Sequence, residues 1–383
     1  MSGAPDRVLH YIARWLPASE GFVHDLVENV RRGGLVVSMA RPENTERFPL
    51  RGGVRLVSLA TVRAVTPPPL RQKAVTASLL TLARRHRVGV VHAHHGYRAD
   101  NLAGLLRHRS MPLVLSLHGD DVTGHVAAQP DYYRHIVDRV GAVIVPSRFL
   151  AGLAESQGFA AERIRVIPSG VDTSYFTPSP VPLEHPEVVF VGRFVEKKGL
   201  DVLAAAWPTV REAVPTARLR LLGFGPLEPL ARSIGGDVEV VLSPTRPAVR
   251  DAMRGARVVV SPSRMARGDA VESLVVVNLE AQASARPVVT TRHGGIPEFV
   301  SDGETALVVP ENDPGELVRA LVTVLTDDDL ARRLGGAGPA WAAAFDLRRT
   351  ARQVDDLYDE LLAADLNASA TRRGHGRGAA LGR

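Results

Sequence analysis

The residues able to do chemistry in this chain stand at the ends of short apolar runs. The run at 188–191 stops at Gly192, and Arg193 and Lys198 follow before Gly199. If 188–191 is a strand, both cations stand at its carboxyl end, where open α/β sheets take their ligands. Two cations at such a point suit a diphosphate. Ordinary surface charge is the bland alternative. Only three of the 47 basic residues are lysines, however, and Lys197 and Lys198 are two of them. A second run ends in Gly223 and Gly225, whose amides can cradle a phosphate or a base edge or can simply make a turn. Glu272 and Glu280 are eight positions apart, with Ser273, Leu274, Val275 and Val276 following the first. That is about 2.2 helical turns. Glu280 sits in an apolar helical stretch, where a carboxylate is costly unless hydroxyls or other donors bond to it. Vicinal sugar or ribose hydroxyls would serve, and a structural acid remains the alternative.

Weaker signals surround these. His118 follows an apolar run and precedes Gly119, Asp120 and Asp121. It can meet a substrate or be structural. Glu298 closes a Gly-Gly-Ile-Pro-Glu stretch and can be a helix-dipole partner. Ser19, Glu20, Gly21 and Phe22 lead into a helical pattern, so their amides can meet an anion, or Ser19 or Glu20 can cap the helix. His92, His94 and His95 have metal-like spacing, but strand alternation puts only His92 and His94 on one face and no acid stands close behind. No metal site is expected.

The elements that must position these residues alternate. Apolar runs at 34–39, 54–59, 89–93, 113–117 and 142–145 are separated by amphipathic stretches at 23–32, 76–87 and 102–107. That βα rhythm predicts a parallel sheet covered by helices. Residues 164–182 hold four prolines and read as a linker. The rhythm then restarts, with strands at 188–191, 218–222, 238–242, 258–261, 287–291 and 306–309. The matching helices lie at 199–213, 227–233, 247–254, 275–285 and 314–326. The expectation is an α/β protein of two Rossmann-like domains, 1–172 and 173–345, facing a cleft. A helix around 346–366 returns to the first domain, and a disordered basic tail spans 367–383.

Composition narrows the class. With 45% apolar and 23% charged residues the chain is an ordinary globular one. The absence of cysteine removes disulfides, thiolate nucleophiles and Cys-ligated metals. No signal-like segment and no apolar run of about 18 residues is present, so a cytoplasmic location is expected. The net charge of +6 is uneven: residues 1–172 carry 22 basic and 14 acidic groups, and residues 173–366 carry 21 and 27. Between 51 and 109 there are eleven basic residues and one acid. A basic half suits phosphate-bearing ligands or an anionic membrane face, or is plain solvated charge. Nucleic acid is disfavoured, because aromatics are only 5% and no aromatic–glycine recognition segment occurs. A dinucleotide-binding dehydrogenase is excluded by the lack of Gly-x-Gly-x-x-Gly after a first strand.

Taken in order, these segments resemble the large retaining family of GT-B glycosyltransferases, family 4. The resemblance covers nearly the whole chain: Ser19–Phe22, His118-Gly-Asp, residues 145–147, 167–172, Gly192-Arg193 with Lys198-Gly199, 223–226, Glu272–Glu280, 294–298 and the helix around Tyr358. It implies metal-independent transfer of a sugar from a UDP- or GDP-linked donor to an acceptor hydroxyl, with no cofactor beyond that co-substrate. It implies that Arg193 and Lys198 neutralise the departing diphosphate, that Glu280 holds the ribose hydroxyls and that Glu272 contacts the donor sugar. The amides of Ser273 to Val276, with Gly192, Gly223 and Gly225, would line the donor site. His118 would lie across the cleft near the reaction centre, and the loop Ser19 to Phe22 would border the diphosphate and acceptor. Asp120 and Asp121 are candidate acceptor-binding acids. The implied acceptor is a small molecule or a lipid-linked sugar, with peripheral membrane contact an open expectation. A sugar-nucleotide epimerase, a phosphorylase and a non-catalytic nucleotide-binding relative are the alternatives on the same architecture. The chain departs from the family's usual pattern at Leu274 and Val275, where an aromatic and a glycine are common, at Ala285, where a glycine is common, and at Leu242-Ser-Pro.

Overall fold

The structure is a computed structural model. It describes residues 7–378 apart from 18–19, 33, 52, 109–110, 125, 127–128, 130, 179–184, 236 and 267–270. The first sheet contains β1 (Arg7–Ile12), β2 (Gly34–Ser38), β3 (Arg55–Ser58), β4 (Val88–Ala93), β5 (Leu113–Ser116), β6 (Val140–Val145) and β7 (Ile164–Val166). All pair in parallel, in the order β3-β2-β1-β4-β5-β6-β7. The strands β2, β4 and β5 are buried along their whole length, which is why they read as largely apolar runs. Helices α1 (Gly21–Asn29), α2 (Ala60–Val65), α3 (Arg71–Arg85), α4 (Ala103–His108) and α5 (Arg148–Ser156) belong to this half.

The second sheet contains β8 (Glu187–Arg193), β9 (Arg218–Phe224), β10 (Val238–Leu242), β11 (Val258–Ser261), β12 (Val288–Thr291) and β13 (Ala306–Val309). It is also parallel, in the order β10-β9-β8-β11-β12-β13. Its helices are α6 (Leu200–Ala213), α7 (Glu228–Ser233), α8 (Arg246–Gly255), α9 (Val276–Ala283), α10 (Pro314–Thr326) and α11 (Asp328–Ala343). The expected pair of Rossmann-like units is therefore present. In both sheets the topology reverses next to a central strand, β1 or β8, so a crevice opens at the carboxyl ends there.

The last helix, α12 (Leu347–Gly378), crosses back to the first sheet. Val354, Leu357 and Tyr358 share one face by their spacing and pack with Val8, Val90, Val114 and Ile144. Asp355 accepts the Arg31 amide at 2.9 Å and pairs with its guanidinium. This helix continues through 367–378, where a disordered tail was expected; no proline after 364 stops it. Two strands also differ from expectation. Residues 7–12 form β1 although His10 breaks their apolar run. Residues 164–166 pair with β6 instead of beginning the linker.

Candidate active site

A cavity of about 500 Å³ lies between the two sheets, within the usual size of a small-ligand site. On the second domain its wall starts at the end of β8. Gly192 and Arg193 line it, and the short turn Glu196–Lys198 brings Lys197 and Lys198 to it. The turn then closes on Gly199 at φ +69°, where a Cβ would meet the Pro262 carbonyl oxygen at 1.8 Å. Only glycine fits there, and it launches α6. At the end of β9, Gly223 lines the cavity and lies so close to the Gly192 carbonyl that a Cβ would meet its oxygen at 1.9 Å. Gly225 does not reach the cavity; it takes φ +148° against the Phe194 backbone and serves the turn.

Glu272 stands at the centre of this wall. Its Oε1 lies 3.0 Å from Lys198 Nζ and 4.0 Å from Lys197 Nζ. Burial pushes this carboxyl up, but Lys198, Lys197 and Arg193 outweigh it and hold the group below its ordinary value. The backbone of Glu272 is fixed from the stretch His293 to Glu298: its N–H donates to His293 Nε2 at 3.3 Å, and its carbonyl accepts the Gly295 amide at 3.0 Å. His293 is buried and its Nδ1 lies 3.2 Å from Glu311. No local signal marks His293 as a positioning residue; the contact spans 21 positions.

After Glu272, residues 273–277 line the cavity and lead into α9. Val275 occupies the position before the helix, buried, with its side chain where the related family commonly has none. Glu280 lies on the cavity face of α9. Burial pushes its carboxyl up to about 7, against the pull of Arg246 and with a contribution from Asp25. The two glutamates thus share one cavity in opposite states, one held ionised by cations and one easily protonated. Ala285, just past α9, adopts φ +56°. That left-handed conformation is the physical reason for a glycine at this point. Leu242 is exposed, and it is Pro244 that reaches the cavity, its carbonyl accepting Arg47 Nη2 at 2.8 Å.

The opposite wall belongs to the first domain. His118 lines it with Phe22 edge-on at 4.9 Å. Burial, then the charge of nearby His95, pushes His118 down to about 4, so the ring is neutral, and its Nε2 has no hydrogen-bond partner. Glu20 and Gly21 line the cavity as well. Glu20 precedes α1 without capping it and faces His95 Nε2 at 3.5 Å. Ser19, expected in the same loop, lies outside the described residues. Asp120 lines the cavity and is exposed, whereas Asp121 does not line it. The expectation of Asp121 as an acceptor acid is therefore corrected: it is fully buried, accepts the His118 amide at 2.8 Å and lies 3.5 Å from His95 Nδ1.

Glu298 also has an unexpected partner. Its carboxylate accepts the amides of Arg148 and Phe149, both at 2.8 Å, at the start of α5 in the other domain. It is a dipole partner, but across the cleft. Outside the cleft, His92 and His94 share one face as alternation demands, and His10 joins them, all three buried. His10 Nδ1 bonds His94 Nε2 at 3.0 Å, and His92 bonds Tyr358 and Ser116 at 2.6 and 2.7 Å. Nitrogens of all three lie within 4.8 Å of one another beneath α12, a grouping of ligand atoms that could also hold a metal ion.

Two parallel sheets facing a cleft, with cations and paired glutamates on one wall and a neutral histidine on the other, define a GT-B glycosyltransferase. Residues 19–175 match the family described as Glycosyltransferase Family 4, and residues 185–327 match Glycosyl transferases group 1. A GDP-mannose-dependent alpha-(1-6)-phosphatidylinositol monomannoside mannosyltransferase of Mycolicibacterium smegmatis is 30% identical over 84% of this chain and 88% of its own. A D-inositol 3-phosphate glycosyltransferase of Corynebacterium jeikeium is 28% identical over 89% and 91%. Anabaena HepE, solved in complex with UDP and glucose, superposes with a TM-score of 0.75 at 19% identity, covering 92% of this chain and 99% of that one. The chain belongs to glycosyltransferase family 4 and is a glycosyltransferase.

Proposed function

We propose that this enzyme transfers a sugar from a UDP- or GDP-linked donor to an acceptor hydroxyl, with retention of anomeric configuration and without a metal ion. One observation carries the reading: Glu272 held at 3.0 Å by Lys198 beside Lys197 and Arg193, in the same cavity as Glu280. Cations at a strand's carboxyl end stabilise charge that develops on a departing diphosphate. Ionised Glu272 can accept hydroxyls of the transferred sugar, and Glu280 can accept the ribose hydroxyls. Amides of 273–276 at the start of α9 face the same space. In the proposed reaction the bond from the anomeric carbon to the phosphate oxygen breaks and its electron pair leaves with the diphosphate. The acceptor oxygen bonds the same face of that carbon, and its proton passes to the departing phosphate. Charge on Arg193 and Lys198 does for the leaving group what a divalent cation does elsewhere. The relatives' donors and acceptors support this reading: GDP-mannose, an inositol phosphate and a phosphatidylinositol mannoside appear in their names.

A lipid-linked acceptor implies contact with an anionic surface. The segment α2 to α3 supports it: Val65 and Leu70 are 75% and 50% exposed, beside exposed Arg63, Arg71 and Lys73. Among the described residues no helix is long and apolar enough to cross a membrane.

Calorimetric titration with UDP and GDP, followed by mass spectrometry of donors against a soluble and a lipid acceptor, tests the proposal. Transfer with the donor's anomeric configuration preserved supports it. Lack of stabilisation by either nucleotide overturns it. Binding with no sugar lost from any donor favours a non-catalytic relative, and donor isomerised without acceptor favours an epimerase.

A further inference from the structure

The segment His92 to His95 invited a metal reading, and the first two histidines serve the core under α12; His95 points elsewhere. Its side chain is 13% exposed, lines the cavity and lies between two carboxylates: Nε2 is 3.5 Å from Glu20 and Nδ1 is 3.5 Å from Asp121. Its ring centroid stands 5.1 Å from that of His118. Three separate pieces of chain meet here: the loop before α1, the end of β4 and the turn after β5.

We propose that His95 is a positioning residue for the acceptor: clamped by Asp121, it ties the loop carrying Glu20 to the first domain and aims that carboxylate at the incoming hydroxyl. This rests on the transferase reading of the cleft. The charges around the ring agree with the geometry. Burial alone lowers His95, but bonding and charge from Asp121 and Glu20 raise it well above its ordinary value and so favour its protonated form. Asp121 is held low by His95 against its own burial. His118 feels the cation of His95 opposed by Asp121 and Glu20, with a backbone hydrogen bond to His94. The outcome is a neutral His118 whose Nε2 is buried and unpartnered, in a cavity that Glu20 also lines. One wall of the cavity then offers an acceptor two hydrogen-bonding groups, the Glu20 side chain and a neutral imidazole. His95 bears on both, 3.5 Å from Glu20 and 5.1 Å ring to ring from His118.

The test uses the full chain and its variants His95→Gln and His95→Lys. Histidine side-chain titration by NMR, with His118 assigned by its loss in His118→Ala, reads the charge coupling. Amide exchange of residues 20–23 reads the tethering of the loop. His95→Gln is expected to raise the His118 titration, because the two carboxylates stay and the cation goes. It is also expected to speed exchange of residues 20–23 by about tenfold. His95→Lys restores a cation and is expected to keep His118 low. A His118 titration and loop exchange unchanged in His95→Gln overturn the proposal, and so does an equal rise in His95→Lys. UDP binding by the wild type is followed in parallel by calorimetry. A wild-type protein that binds no nucleotide sinks the transferase reading alone, because the titration and exchange results stand without it.

Discussion

Glu280 allows a quantitative test of nucleotide recognition. Burial pushes its carboxyl up to about 7. A carboxylate accepts both hydroxyls of a ribose; a protonated carboxyl must donate one of its own bonds. Binding therefore selects the ionised form. With titration near 7, the ionised fraction is about one tenth at pH 6 and about nine tenths at pH 8. UDP or GDP should bind about tenfold more weakly at pH 6 than at pH 8, about 1.4 kcal/mol. The nucleotide's own terminal phosphate titrates near pH 6, so the comparison is with Glu280→Gln, in which this component of the slope disappears. Isothermal titration calorimetry at pH 6, 7 and 8 in two buffers of different ionisation enthalpy measures affinity and proton release together. The wild type should release protons on binding near pH 6.5, and Glu280→Gln should release fewer. The sign for stability is opposite. The folded value lies above the ordinary 4.5, so the native state holds the extra proton between about 4.5 and 7 and loses stability as pH rises through that window. The gap corresponds to up to about 3 kcal/mol above pH 7. Glu280→Gln should thus melt higher at pH 8 while binding nucleotide worse. Identical pH slopes of affinity in wild type and variant would refute the assignment of Glu280 to the ribose.

Four further perturbations follow from the same geometry. Lys198→Ala removes the cation 3.0 Å from Glu272 and should lower turnover by about 10²–10³ with a smaller loss of UDP affinity; steady-state kinetics with equal losses in both would contradict a leaving-group role. Ala285→Gly relieves about 1–2 kcal/mol of left-handed strain and returns about 0.4–1 kcal/mol to the looser unfolded chain, so chemical denaturation should show a net gain of about 1 kcal/mol. Burial lowers His10 to about 3, so the unfolded chain binds a proton that the folded one refuses, and stability falls as pH drops from 6.5 toward 3. Calorimetric melting at pH 7 and 5 should show a loss of about 2 kcal/mol from this group, blunted in His10→Gln. Glu298→Ala leaves two α5 amides without their acceptor across the cleft and should open the domains; X-ray scattering with UDP bound should give a larger radius of gyration than wild type.

The alternation of strands and helices was legible because strands covered on both faces must be largely apolar, and the expected runs at 34–39, 89–93 and 258–261 match the described strands to within a residue. The gathering of cations and glutamates on one cavity wall was legible for a related reason. Arg193, Lys198, Glu272 and Glu280 follow their elements within a few residues, so local pattern places them. What escaped was set by distant contacts. β1 was missed although one histidine interrupts it just as His92 interrupts β4, and its His10 is matched by His94, which bonds it from 84 positions away. β7 hides because three residues with an arginine among them, beside prolines, carry no periodicity. His293 and His95 gain their roles from Glu311, Glu20 and Asp121, none of which is adjacent in sequence. Asp121 looked like a neighbour of Asp120 with the same task, yet one step along the turn takes it from the cavity wall into the core.

The contacts between the domains are made largely by the segments that carry the chemistry. Val271, one residue before Glu272, donates its amide to Thr123 Oγ1 in the first domain at 3.1 Å. Gly295 bonds the Glu272 carbonyl, and Glu298, three residues on, holds the start of α5. Arg246, whose charge reaches Glu280, lies 3.3 Å from Asp25 and 3.6 Å from Asp172. Exposed ion pairs of this kind contribute at most about 1 kcal/mol each, so the ring does little for overall stability. Its consequence is geometric. A glutamate whose backbone is tied on one side to Thr123 through Val271, and on the other to α5 through Gly295 and Glu298, takes its working position only when the first domain is in place. On the proposed assignment, donor contacts made by Glu272 would favour closure, and closure would bring His118 and Glu20 toward the same sugar. By reciprocity, an acceptor that stabilises the closed form must tighten the donor by the same factor.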